Sequence, residues 1–221
     1  MKNSLFPTPR ATPAAIRARI LEAARSRLFH LGYSALIMDE LARELGMSKK
    51  TLYRSFPSKD AIIGAIIDEM GRSIRGRMDA ILTDPKLNFA QKLSGVIDVV
   101  GSQLAKASPG MLHDLQRCAP HLYQKIDDVR RRNVPFVFGR LIRAGLAEGK
   151  VRPEIDPDFA VEFWLQAIRG LVQPEILECT GLTPRQTLEQ ALHLFFGGLL
   201  SFNGLKDYEK LLASRPDPVT A

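Results

Sequence analysis

Apolar residues recur along most of this chain at spacings of three and four, the period of an α-helix that buries one face. Ile16, Ile20, Leu21, Ala24, Leu28 and Phe29 form the first such stripe. Thr12 before Pro13 supplies an N-cap and a first-turn proline, and Gly32 ends the helix. Two short helices are expected next: one over about Asp39 to Leu45, closed by Gly46, and one capped by Ser48 that runs to about Ser55. Ser58 caps a long helix to about Leu82, and Asn88 with Gln91 makes a capping-box start for another that reaches about Lys106. Ser108-Pro109 opens a short helix. Pro120 opens a long one that ends at Glu148-Gly149, and Pro135 inside it predicts a kink. Asp156-Pro157 and Thr183-Pro184 with Gln186 start two more, Pro174 bends or ends the first of these, and a last short helix spans Lys206 to Ala213. No stretch alternates with the period of a strand. The expected fold is all-α, with nine to ten helices: a three-helix N-terminal domain and a larger C-terminal helical domain.

The domain boundaries follow from punctuation and charge. Residues 1–11 read as a flexible arm carrying Lys2 and Arg10, residues 12–59 as a compact basic unit, residues 60–213 as a larger neutral one, and residues 214–221 as a disordered tail. Residues 1–59 hold 11 Lys/Arg against 4 Asp/Glu, a net +7, which is the surplus of the whole protein; the remainder balances at 20 of each. A basic unit beside a neutral one calls for a polyanionic partner on the first alone. No glycine/serine linker separates them, so the helix from Ser58 runs directly from one unit into the other. Two distant cysteines, Cys118 and Cys179, exclude a disulfide framework and fit a reduced cytoplasmic setting. The N-terminus lacks the apolar core of a signal peptide, and no apolar run is long enough to cross a membrane.

Candidate chemistry lies between Gly32 and Asp60. Leu41, Ala42 and Leu45 form the inner face of one short helix, Gly46 permits a tight turn, and Leu52 with Phe56 anchors the next helix inward. That leaves Lys49, Lys50, Tyr53 and Arg54 facing outward near a helix start capped by Ser48, whose free amides favour a phosphate. A helix presenting basic and hydroxyl groups at its N-terminal end suits the major groove.

Gly32-Tyr33, Glu40-Leu41-Ala42, the run from Glu44 to Phe56 and Ser58-Lys59-Asp60 together resemble the TetR family of bacterial transcription regulators. The resemblance implies phosphate or sugar contacts at Ser48, Thr51, Tyr53 and Lys59, and groove readers at Lys49 and Lys50, with Arg54 beside them. One departure stands out: the family has Thr or Ser before its second helix, where this chain has Leu36 and Ile37, so the cap is expected from Asp39. The family also implies a C-terminal part that binds a small effector and forms a homodimer on a palindromic operator. The last two long helices carry wide apolar faces for that interface: Phe159 and Phe163 on one, and Leu188, Leu192, Phe195, Phe196, Gly197 and Leu199 on the other.

Candidates to line an effector pocket are Phe89, Leu104, Met111, Leu115, Phe136 and Trp164, with Arg140 and Arg169 as partners for an acidic group or for neighbouring carboxylates. His113, Cys118 and His121 raise a metal question, but their spacing does not fit a ligand set. No nucleophile elbow, zinc-protease, Walker A or dinucleotide motif is present, so neither an enzyme nor a cofactor is expected. The expected function is a repressor released from double-stranded DNA by a small, mostly apolar effector. A constitutive DNA binder with a filled core is the alternative.

Overall fold

The computed structural model describes residues 12–213. The expected terminal arm and tail lie outside them. Eleven helices follow in order: α1 (Pro13–Leu31), α2 (Met38–Glu44), α3 (Lys49–Ser55), α4 (Lys59–Thr83), α5 (Phe89–Leu104), α6 (Pro109–Cys118), α7 (Pro120–Ala147), α8 (Pro157–Leu171), α9 (Pro174–Thr180), α10 (Pro184–Leu199) and α11 (Phe202–Ala213). The count exceeds nine to ten because Pro174, which cannot continue α8, starts the separate short helix α9. Pro135 does not interrupt α7, which continues through it. The one β-bridge among the described residues joins Val151 and Leu200.

The caps read from the sequence form as expected at α1, α3, α4, α5, α6, α8 and α10, where Thr12, Ser48, Ser58, Asn88, Ser108, Asp156 and Thr183 each accept a hydrogen bond from an amide of the first turn. Helix α2 is the exception. Ile37 occupies its N-cap position without a side-chain bond. Asp39 does not cap it either; its carboxylate accepts from Lys49 Nζ at 2.5 Å.

Helices α1–α3 fold around Ile20, Leu41, Leu52 and Phe56, all at most 1% exposed. Their core continues without a break into that of the larger part through Ile62, Ile63 and Ile66 on α4. Helix α4 lies along α7, and the two approach closely at Gly71, where an added Cβ would stand 2.7 Å from Val129 Cγ1. Asn133 Nδ2 donates to the Gly71 carbonyl at 3.0 Å beside that contact. Farther along, α7, α8 and α10 meet in an aromatic cluster in which Trp164 lies 5.1 Å from Phe138 and 4.9 Å from Phe195, centroid to centroid.

Gly71→Ala forces a methyl against the stiff, β-branched Val129. A loss of about 1–3 kcal/mol in unfolding free energy, read by urea denaturation, is expected. An unchanged midpoint would mean that α4 and α7 are free to separate there.

Candidate nucleic-acid interface and internal cavity

Helix α3 is pinned from below and bare above. Leu52 and Phe56 are buried, while Lys49, Lys50, Tyr53 and Arg54 are exposed. Arginines on α1 secure this arrangement. Arg17 donates to the Ser55 carbonyl at 3.1 Å and lies 3.9 Å over the Phe56 ring. Arg19 donates to the Leu45 carbonyl at 3.0 Å, and Arg27 pairs with Glu40 and Glu44 at 3.1 and 2.7 Å. Much of the basic surplus near the N-terminus is therefore spent on internal joints. Among the described residues Lys50 and Arg54 make no side-chain hydrogen bond or ion pair, and their charge faces solvent. Lys49 is exposed and held only by its surface pair with Asp39, an interaction weak enough to exchange for a phosphate.

Ser48 Oγ accepts from the Thr51 amide at 3.1 Å and shares a hydrogen bond with Thr51 Oγ1 at 2.9 Å. Lys59 departs from expectation. It is half-buried, stacks 3.8 Å over the Tyr33 ring and donates to the Tyr33 carbonyl at 3.2 Å, so its ammonium is engaged inside the fold.

The loop between α1 and α2 is clasped by α6. Asp114 accepts from the Ser34 amide at 2.7 Å and the Ser34 hydroxyl at 2.5 Å. Burial disfavours the ionised form of Asp114. The two Ser34 hydrogen bonds, aided by Cys118 and Arg117, outweigh it and hold the carboxyl below the usual range. Gly32 explains the closeness: at φ 86° it turns the chain where a side chain is disfavoured, and an added Cβ would stand 2.7 Å from Asp114 Oδ2. Beside the clasp, Tyr33 donates to Asp60 at 2.8 Å. Burial, and then Asp60, push the Tyr33 phenol up to about 12, so it stays a donor. His121 pairs with Asp60 at 3.0 Å, His113 with Glu178 at 3.0 Å, and Cys118 with the Ser34–Asp114 clasp; the three residues that prompted a metal question face three different partners.

Behind α6 lies a cavity of about 230 Å³. Leu28 and Phe29 of α1, Met111, Leu112 and Leu115 of α6, and residues of α4, α5, α7, α8 and α10 line it. Of the residues expected there, Leu104, Met111, Leu115 and Trp164 line the cavity. The other four do not. Phe89 packs against Gly145. Phe136 lies on the outer side of α7 under the guanidinium groups of Arg75 and Arg140, with Arg75 3.8 Å from the ring centroid. Arg140 pairs with Asp79, and Arg169 donates to Asp127 at 2.7 Å, so both satisfy neighbouring carboxylates. The guanidinium at the cavity belongs instead to Arg130. Its signal in the sequence was a single Arg within the inward stripe Ile126, Val129, Arg130, Asn133, Val134 and Val137.

The apolar faces of α8 and α10 divide in two. Phe159 and Phe163 are 67% and 55% exposed. Leu188, Leu192, Phe195, Phe196 and Leu199 are buried within the subunit, and Leu188 and Leu192 line the cavity; helical period alone does not say which neighbour covers a face. Gly197 is exposed with open space over it. Leu194 on α10 and Phe202 at the start of α11 join the exposed set at 81% and 84%.

Residues 20–66 match the family described as bacterial regulatory proteins, tetR family. The chain is 23% identical over 181 residues to the uncharacterized HTH-type transcriptional regulator YvaF of Bacillus subtilis (strain 168), covering 82% of this chain and 94% of that one. In fold it is similar to SmeT, the repressor of the Stenotrophomonas maltophilia multidrug efflux pump SmeDEF, with a TM-score of 0.64 at 17% identity over 88% of this chain and 93% of SmeT. The SmeT–triclosan complex superimposes with a TM-score of 0.63 at 15% identity, over 86% and 94%. No helix among the described residues is long and apolar enough to cross a membrane. The matched segment covers the helix-turn-helix and the start of α4, and the chain as a whole is similar in fold to these solved regulators, so residues 20–66 carry the DNA-binding segment of the TetR family of bacterial transcriptional regulators.

Proposed function

We propose that this regulator is a homodimeric repressor which a small, mostly apolar effector releases from a palindromic operator. The observation that carries the reading is the position of α6, which touches the cavity with Met111, Leu112 and Leu115 and holds the α1–α2 loop with Asp114. A ligand that moves α6 acts on the DNA-binding helices through that carboxylate, which gives the two sites a physical coupling. The family resemblance to SmeT, whose complex with triclosan is known, supports an effector of this general kind. In this reading residues 12–59 form the DNA-binding unit and residues 60–213 the effector-binding and dimerisation unit, in a cytoplasmic protein. Lys50 and Lys49 read base edges, and Ser48, Thr51, Tyr53 and Arg54 hold the backbone. Lys59 positions Tyr33 and contributes to phosphate binding only by its charge. The exposed Phe159, Phe163 and Leu194 with Gly197 meet a second copy. Dimerisation sets two recognition helices about 34 Å apart, as successive major grooves require.

Lys50→Ala weakens binding to a duplex selected by the wild-type protein about tenfold or more in a gel-shift assay, and leaves the melting temperature unchanged. An unaltered affinity would place the groove contact elsewhere. Phe163→Glu or Leu194→Glu turns the dimer into a monomer in analytical ultracentrifugation, because a carboxylate cannot be buried unpaired in an apolar interface; a dimer that survives both changes meets its partner elsewhere.

Asp114→Ala tests the coupling. Apolar compounds, triclosan and medium-chain alcohols among them, are first chosen for raising the wild-type melting temperature. The variant binds them with little change yet loses most of their effect on DNA affinity. Because the folded carboxyl titrates below its unfolded value of about 3.9, the clasp is fully formed above that pH and is lost as pH falls through the lowered value. Equal release in variant and wild type would rule out Asp114 as the link. A wild-type protein that no compound both stabilises and releases is a constitutive binder.

A further inference from the structure

We infer that the ligand which fills the cavity is a monocarboxylic acid with an apolar body, and that Arg130 receives its carboxylate. This rests on the reading of the cavity as the effector site and adds the chemical class of what enters it. Among the described residues that line the cavity, Arg130 is the one that carries a charge; Gln103, Asn133 and the indole of Trp164 are the other hydrogen-bonding side chains there, and the rest of the wall is apolar apart from glycine backbone. Asn133 is already committed to the Gly71 carbonyl, in the contact between α4 and α7.

The surroundings of Arg130 compensate its charge only in part: Asp127 favours it from a distance, Arg169 opposes it, and no carboxylate pairs with it directly among the described residues. Asp127, one helical turn away, is occupied on both oxygens: Oδ1 accepts from Arg169 at 2.7 Å and Oδ2 from Arg131 at 3.0 Å. Burial disfavours the charge on Asp127, but those two bonds outweigh it and keep the carboxyl low, so it is committed as an anion to the other two arginines. The group against Arg130 is the Tyr123 hydroxyl, a neutral oxygen whose proton goes to Gln173 Oε1 at 2.9 Å. Glu175 acts on Tyr123 from the exposed start of α9 and makes no ion pair with Arg130 among the described residues. Burial pushes the Arg130 guanidinium down from the usual arginine range, the mark of a charge deprived of water. Three guanidinium groups thus surround one carboxylate at this corner; Arg169 and Arg131 hold its two oxygens, and the one that faces the cavity has no ion pair of its own.

A guanidinium beside an apolar cavity is costly unless an anion meets it. Its planar fork matches a carboxylate in bidentate geometry. One free guanidinium in a cavity of about 230 Å³ suits a single small monoanion with an apolar tail, rather than a multiply charged head that would need several cations and water.

Calorimetric titration of the full-length protein with decanoate and with decanol separates the head from the tail. Decanoate is expected to bind wild-type protein at least tenfold more tightly than decanol, since a charge-assisted bond to a desolvated group discriminates by about that factor or more. Arg130→Met keeps the volume and removes the charge. It should lose the preference and bind decanol as tightly as wild type or more tightly. Arg140→Met, whose partner is Asp79 and which does not line the cavity, should keep the preference. Equal affinity of the wild type for the two probes, or a preference that survives in Arg130→Met, overturns the carboxylate assignment and leaves the cavity standing as an apolar site. Binding of neither probe overturns that reading as well.

Discussion

Helix α4 leaves the DNA-binding helices no freedom to drift. It begins at the Ser58 cap directly after α3, runs unbroken to Thr83, and packs along α7 so closely at Gly71 that the sites on the two sides of the molecule share one rigid element. The core continues through Ile62, Ile63 and Ile66 without a gap. In the proposed switch, motion at the cavity would pass along as displacement of whole helices, because a close-packed interior has few intermediate arrangements.

The second tie is polar and local. Asp114 reaches from α6 to the Ser34 amide and hydroxyl across the space that Gly32 keeps clear. Tyr33, Asp60 and His121 extend this contact onto α4 and α7. The α1–α2 loop is thereby held by α6 and α4, with His121 of α7 behind Asp60, while α3 packs against α1 and α2 and keeps its outer face open. Arginines on α1 and basic residues on α3 divide the charge accordingly. Arg17, Arg19 and Arg27 fasten backbone and carboxylates, and Lys50 and Arg54 remain available to a polyanion. Net charge thus overstates how many cations of the first helices are left free for a polyanion.

The interior shows the same economy. The aromatic cluster of Phe138, Trp164, Phe195 and Phe196 fills the joint of α7, α8 and α10, and the space between it and α6 stays open. Leu188 and Leu192, expected at a partner interface, form part of the wall of that space. The outer faces of α8 and α10 are left with large apolar groups that remain exposed, Phe159, Phe163 and Leu194 among them.

Caps, prolines and apolar spacing determined the helices, since each acts within one turn of the chain and needs no distant partner. The recognition helix was legible for the same reason: Ser48, Gly46, Leu52 and Phe56 set its ends and inward face locally, which leaves Lys49, Lys50, Tyr53 and Arg54 outside. Only the tertiary structure decided which neighbour each apolar face meets and which carboxylate each arginine finds. Arg140 and Arg169 look in the sequence much like Arg130, yet Asp79 and Asp127 claim the first two while the third is left at the cavity. Likewise Lys59 lies within the matching motif but turns onto Tyr33, and nothing near Asp114 in the chain announces Ser34, 80 residues away. A helix's period fixes the direction of a side chain about its own axis; which groups meet across helices depends on how the helices pack, and that is set by the whole chain at once.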